Sequence, residues 1–326
     1  MDLAFVFMVL MGISVLAYVL LDGFDLGVGM LMPAATDDEQ SFMVSSIGPF
    51  WDANETWLVL GIGILLSAFP LAHGIVLSAL YLPVVAMLIG LMFRGVAFEL
   101  RIKAHGWHRE LWNWLFWAGS FLASFAQGLM LGRYLTGFGD GFGYWLFAVL
   151  VGASLCGGYV LLGATWLILK TEGDLQRKAE AWARWGLLWV ALGVALVSLA
   201  TPLVSETVRD KWFDFPRTLG LMLLPAATFA AGLWLWRATG RVRSGGGDWQ
   251  PFAGAVAIFT LSFIGLAYSI YPYVVIDRLT IWEAAAHPSA LKALFIGAAI
   301  VGPFIAAYTV LSYRIFRGKA TAKLYD

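Results

Sequence analysis

Apolar runs of about twenty residues follow one another down this chain with little between them. A helix of that length matches the hydrocarbon thickness of a bilayer. In lipid every backbone polar group must be satisfied within such a helix or a closed barrel. Nine spans are expected, at 3–31, 53–70, 74–98, 112–132, 143–170, 183–204, 217–237, 250–272 and 290–315. The chain therefore reads as an all-α polytopic membrane protein, a single integral domain over 1–326. Of its residues 60% are hydrophobic and 13% charged, where a soluble domain carries about 25% charged. Pro70, His73 and Gly74 predict a tight turn between the second and third spans, and Ser244-Gly245-Gly246-Gly247 predicts a flexible link between the seventh and eighth.

The N-terminal run, Leu3 to Leu21, lacks the basic leader of a signal peptide and is long enough to span. Net charge is zero, which argues against nucleic acid as a partner. The one cysteine, Cys156, lies mid-span as a small apolar filler. Sixteen Trp and eleven Tyr suit the aromatic belts of the two membrane interfaces.

Basic residues set the expected orientation. Fifteen of them, Arg94, Arg101, Lys103, Arg109, Lys170, Arg177, Lys178, Arg184, Arg237, Arg241, Arg243, Arg314, Arg317, Lys319 and Lys323, fall on one side. Six fall on the other: Arg133, Arg209, Lys211, Arg217, Arg278 and Lys292. The positive-inside bias puts the fifteen in the cytoplasm, with the N-terminus outside and the C-terminus inside.

No lysine or arginine precedes Arg94, yet eight acids do: Asp2, Asp22, Asp25, Asp37, Asp38, Glu39, Asp52 and Glu55. Carboxylates in or beside hydrocarbon are costly, and by default mark an ion or proton path. Asp22 and Asp25, in Leu21-Asp22-Gly23-Phe24-Asp25-Leu26-Gly27, share a helix face. Two such carboxylates in a dry site resist ionising together and would share a proton. They read either as a relay or hydrated ion site, or as caps of a broken helix end. Gly23 and Gly27 permit close helix approach.

In Trp51-Asp52-Ala53-Asn54-Glu55, Asp52 is expected to cap the second span, with Glu55 completing a capping box. Asp52, beside Trp51, is also the leading candidate for proton transfer, and Asn54 can donate or accept in the same network. All four acids fall at the inner half of the membrane, placed to take protons from the cytoplasm. Arg94 either snorkels to headgroups or pairs across helices with Asp25 or Asp52. Glu99 can pair with Arg101 or Lys103 instead, an alternative left open beside the other two. Gln127 needs partners inside its span and either braces a helix contact or touches a quinone or water chain. Tyr271-Pro272-Tyr273 with Asp277, Arg278, Trp282, Glu283 and His287 forms an outer loop, read as an interfacial surface or a contact for a partner subunit. The four histidines, His73, His105, His108 and His287, all fall in expected loops or span ends. With no mid-span histidine, no Cys-x-x-Cys and no nucleotide motif, no haem, metal or nucleotide site is evident.

Taken in order, Asp22-Gly23-Phe24-Asp25-Leu26-Gly27-Val28-Gly29, Trp51-Asp52-Ala53-Asn54-Glu55-Thr56-Trp57, Phe93-Arg94-Gly95-Val96-Ala97-Phe98-Glu99, Phe125-Ala126-Gln127-Gly128, and Tyr271-Pro272-Tyr273 with Leu279-Thr280-Ile281-Trp282 resemble subunit II of the cytochrome bd-type quinol oxidases. The Ala126-Gln127-Gly128 segment and the short length look most like the cyanide-insensitive branch. The resemblance implies nine helices in two four-helix bundles plus a peripheral helix, in a bacterial inner membrane. It implies a heterodimer with a subunit I that carries haem b and haem d-type groups and the quinol-oxidising loop, while this chain holds none. The family also admits a small single-helix subunit and a structural quinone, which these residues do not assign. In the family, the aspartate matching Asp52 lies on a proton route to the oxygen-reducing haem, and that matching Asp25 belongs to the same acidic region. Proton transfer is thus expected of Asp52, Asp25, Asp22 and Glu55, supported by Trp51, Asn54, Arg94, Glu99 and Gln127. The rival readings are a purely structural partner subunit and a cation-coupled secondary transporter.

Overall fold

The computed structural model describes residues 2–242, 245 and 247–320. Ser244 and Gly246, from the expected link, and the basic residues Arg243 and Lys323 lie outside the described residues. Helix α1 (Leu3–Leu31) begins where the Asp2 carboxylate accepts the Phe5 amide, 3.1 Å away. The expected loop after it contains a helix, α2 (Asp37–Ile47), whose start is held by the Glu39 carboxylate accepting the Thr36 amide at 2.7 Å. Then come α3 (Trp51–Ala68), α4 (Pro70–Ala79), α5 (Tyr81–Lys103), α6 (Trp107–Leu135) and α7 (Phe142–Lys170). The second half holds α8 (Gly173–Val204), α9 (Glu206–Trp212), α10 (Arg217–Leu221), α11 (Leu223–Arg241) and α12 (Trp249–Ile270). A small antiparallel hairpin, β1 (Tyr273–Val275) with β2 (Leu279–Thr280), leads through α13 (Ile281–Ala284) to α14 (Pro288–Ile315).

Among the described residues, eight helical segments are long and apolar enough to cross a membrane. Helix α3 has 18 residues but is not among them, because Asp52, Asn54 and Glu55 crowd its first turn and a half.

The expected turn at Pro70 to Gly74 is instead helix α4. Proline has no amide hydrogen and clashes with the preceding turn, so it ends α3 at Ala68, yet its fixed φ suits the first position of a new helix. His73, expected in a loop, therefore lies within α4. Pro225 cannot donate to Leu221, and the helix is interrupted at Met222 between α10 and α11, yet a membrane-length apolar segment, Thr218–Arg241, stands where the span over 217–237 is expected. Helix α8 starts ten residues before the expected 183, since hydrocarbon thickness limits the apolar stretch and not the helix.

Helix α1 packs against α3, α6 and α7; α5 pairs with α6, α6 with α7, and α7 with α8 and α12. Glycine makes the α1–α7 approach possible: a Cβ on Gly27 would sit 1.8 Å from the Tyr159 carbonyl oxygen, and one on Gly163 2.4 Å from the Gly27 carbonyl carbon. Backbones this close gain packing contacts that a hydrophobic drive cannot supply in lipid. Helix α14 is the least enclosed; Leu291 is its one fully buried residue. The hairpin loop folds back on the start of α1, with the Trp282 indole donating to Asp2 at 2.8 Å, and the Glu283 carboxylate caps Thr280.

Candidate functional site: a buried acid–arginine cluster

Six helices deliver polar side chains to one interior region. The spacing of Asp22 and Asp25 turns both into the bundle, where each is fully buried. From α5 comes Arg94, only 1% exposed, with Nη1 at 2.6 Å from Asp22 Oδ1. Its Nη2 pairs with Glu55 of α3. The guanidinium thus ties α1, α3 and α5 together, and it lies 5.9 Å from the centre of the Trp51 ring. Trp51 in turn packs on Phe98, their centroids 4.9 Å apart.

Asp25 stands apart from the cation. Its Oδ2 accepts from Asn54 Nδ2 at 2.7 Å, and the other amide hydrogen goes to the Leu21 carbonyl at 3.2 Å. The Asn54 carbonyl oxygen accepts from the Tyr313 hydroxyl of α14 at 3.1 Å. Asp25 Oδ1 has no hydrogen-bond partner, and neither do both oxygens of Asp22 or Nε and Nη1 of Arg94, the close Arg94–Asp22 approach being poorly aligned for one. Buried polar atoms left open in this way are the ordinary sites of internal water.

On the other side of Asp22, one helical turn back, Tyr18 accepts from Gln127 Nε2 at 2.7 Å, while the Tyr159 hydroxyl donates to Gln127 Oε1 at 2.6 Å. Gln127 therefore braces α1, α6 and α7.

Several expectations are corrected here. Arg94 does not snorkel, and its ion pairs go to Asp22 and Glu55, not to Asp25 or Asp52. Burial decides this, because an arginine sealed at the crossing of three helices finds the carboxylates that face it. Asp52 does not cap α3; Phe50 occupies the cap position and Asp52 is an exposed residue of the first turn. The expected Asp52–Glu55 capping box is absent because Glu55 is turned toward Arg94. Glu99 is exposed, and among the described residues it forms no ion pair with Arg101 or Lys103. Arg101 instead donates to Asn113 at 2.5 Å, and Asn113 to Gln40 of α2 at 2.6 Å.

Tyr18, Tyr159 and Tyr313 escaped the sequence reading. Tyr18 carried a usable signal, lying four residues before Asp22 on one helix face. Tyr313 lies near a span end, where an aromatic belt accounts for it, and Tyr159, mid-span, reads as a packing aromatic. Among the described residues no group of three His, Cys, Asp or Glu side chains gathers to hold a metal ion.

Fold and site together define a polytopic helical membrane protein with an ion-paired cluster closed inside its bundle. The chain belongs to the cytochrome bd terminal oxidase subunit II family, whose sequence model matches residues 3–316. It is 30% identical over 337 residues to cytochrome bd ubiquinol oxidase subunit 2 of Bacillus subtilis, covering 97% of this chain and 96% of that one. It is 28% identical over 368 residues to cytochrome bd-I ubiquinol oxidase subunit 2 of Escherichia coli K12, covering 98% and 95%. Its fold is similar to a chain of the bd oxidase from Geobacillus thermodenitrificans, with a TM-score of 0.79 at 17% identity over 97% of this chain and 99% of that one.

Proposed function

We propose that this chain is the haem-free second subunit of a quinol:oxygen oxidoreductase in a bacterial inner membrane. It crosses nine times, α3 included, as two four-helix bundles plus α14, with the C-terminus cytoplasmic. It stabilises a haem-bearing subunit I through its apolar surface and helps deliver the protons consumed when dioxygen is reduced to water. Quinol is the substrate of the complex and reacts in the partner.

The observation that carries the proton role is the division of labour among the four acids. One cation serves two carboxylates, Asp22 and Glu55, and leaves Asp25 with a neutral amide partner and one free oxygen. Asp52 is exposed one turn before the half-exposed Glu55. A proton can enter at Asp52, pass by water to Glu55 and the Asp22–Arg94 pair, and rest on Asp25. An acid with no counter-ion of its own is the member of such a set best suited to gain and lose a proton.

A structural reading also has support, since Arg94 ties three helices together. The two separate in the assembled, haem-replete complex carrying Asp25→Asn or Asp52→Asn. Both substitutions are nearly isosteric. The proton role predicts a loss of oxygen consumption with the haem spectrum retained. Full turnover in both variants would leave only the bracing role.

A further inference from the structure

We infer that Tyr313 is a positioning residue for Asp25: with the Leu21 carbonyl it holds the Asn54 amide and so favours the exchangeable proton on Asp25 Oδ1. The inference rests on the proton role proposed above.

The Asn54 side chain is committed on every side. Its oxygen accepts from Tyr313 at 3.1 Å, and its two amide hydrogens go to the Leu21 carbonyl and to Asp25 Oδ2. The Leu21 carbonyl can only accept, so it turns the Nδ2 end toward itself and Asp25; the Tyr313 hydroxyl, able to donate or accept, donates to the remaining Asn54 oxygen and holds the amide in that orientation. Asp25 Oδ2 then always meets an N–H. A proton on Oδ2 would make that oxygen a poorer acceptor for the N–H, so the proton is favoured on Oδ1, the oxygen with no partner.

Tyr313 comes from α14, a helix otherwise barely enclosed, yet its ring is held firmly. It stacks on Phe50 with centroids 4.5 Å apart and meets Trp166 and Phe24 edge-on at 6.1 and 6.4 Å. Just beyond it the chain is pinned beneath α7. Lys170 Nζ donates to the carbonyls of Phe316 and Gly318 at 2.5 and 3.1 Å, the Ala320 amide donates to the Lys170 carbonyl at 2.8 Å, and Lys319 pairs with Asp248 at 2.5 Å. A hydroxyl on a clamped ring can orient an amide; one on a mobile ring could not.

The test uses the purified two-subunit complex. Tyr313→Phe keeps the ring stack and removes only the hydroxyl. It is expected to slow quinol-driven oxygen consumption by about 5-fold, the scale of one neutral hydrogen bond, to displace the pH profile of turnover, and to leave the KM for quinol unchanged. Because Tyr313 acts through Asn54, the double variant Tyr313→Phe/Asn54→Ala is expected to be no slower than Asn54→Ala alone. Unchanged turnover in Tyr313→Phe, or losses that multiply in the double variant, overturns the inference. If Tyr313→Phe does not assemble, 3-fluorotyrosine at position 313 keeps the fold while strengthening the donor, and an unmoved pH profile overturns it. Loss of activity in Asp25→Asn together with an indifferent Tyr313 would sink this inference alone. Full activity in Asp25→Asn would sink the proton role beneath it.

Discussion

Arg94 and Asp22 meet at 2.6 Å in a place neither shares with solvent. Arg94 is the first basic residue in the chain, and it lies inside the bundle and not at the membrane surface. Of the acids that precede it without any local counter-ion, Asp22 thus finds one by long-range folding. Glu55 shares the same guanidinium.

Removing one partner of such a cluster strands the others. Arg94→Met is expected to destabilise the complex by about 3–5 kcal/mol, the usual result of leaving buried charge uncompensated. Adding Asp22→Asn and Glu55→Gln to the same chain should recover most of that loss. Thermal unfolding of the purified complex measures both.

Gly27→Ala drives a methyl group into the Tyr159 backbone carbonyl, 1.8 Å from its built position. The expected cost is about 3 kcal/mol, the top of the usual overpacking range. Gly63→Ala meets nothing within 4 Å and serves as the control. The yield of intact complex from solubilised membranes separates the two.

Gln127→Leu leaves the Tyr18 and Tyr159 hydroxyls buried without their amide partner. About 1–3 kcal/mol of stability should be lost for each hydroxyl left unpaired. The loss appears as a lower unfolding midpoint with the haem spectrum of the folded complex unchanged.

Helix α2 is tethered to α8 by Glu39 and Lys178, 2.7 Å apart. Partial burial pushes the Glu39 carboxyl up, but the bonds from Lys178 and Thr36 outweigh it and hold the group below its ordinary range. A lowered folded value means the tether's contribution is complete above the unfolded value of about 4.3 and fades as pH falls through the lower folded one. The protection factors of the α2 amides, which remove the intrinsic pH dependence of exchange, should therefore be constant from neutrality down to about pH 5 and fall only in stronger acid. Glu39→Gln should raise exchange across the neutral range and flatten that acid response.

The architecture was legible in the sequence because lipid imposes its own ruler. Apolar length alone predicts most of the membrane-length helices; it missed α2 inside an expected loop, the early start of α8, and the helix that begins at Pro70, where a missing amide hydrogen redirected the backbone without changing hydropathy. The family was legible too, through motifs in order along nearly the whole chain. Periodicity correctly put Asp22 and Asp25 on one face. It could not say which partners that face would meet.

That choice belonged to the tertiary structure. Arg94 lies 72 residues from Asp22 and 39 from Glu55 along the chain, and Tyr313 lies 259 from Asn54. Hydropathy and helical period describe each segment against its solvent, so they carry no information about which segments touch. The pairing of the buried Arg94 with Asp22 and the partly exposed Glu55, and the seating of a tyrosine from the last helix against Asn54, were settled only when glycine-lined helices closed on one another.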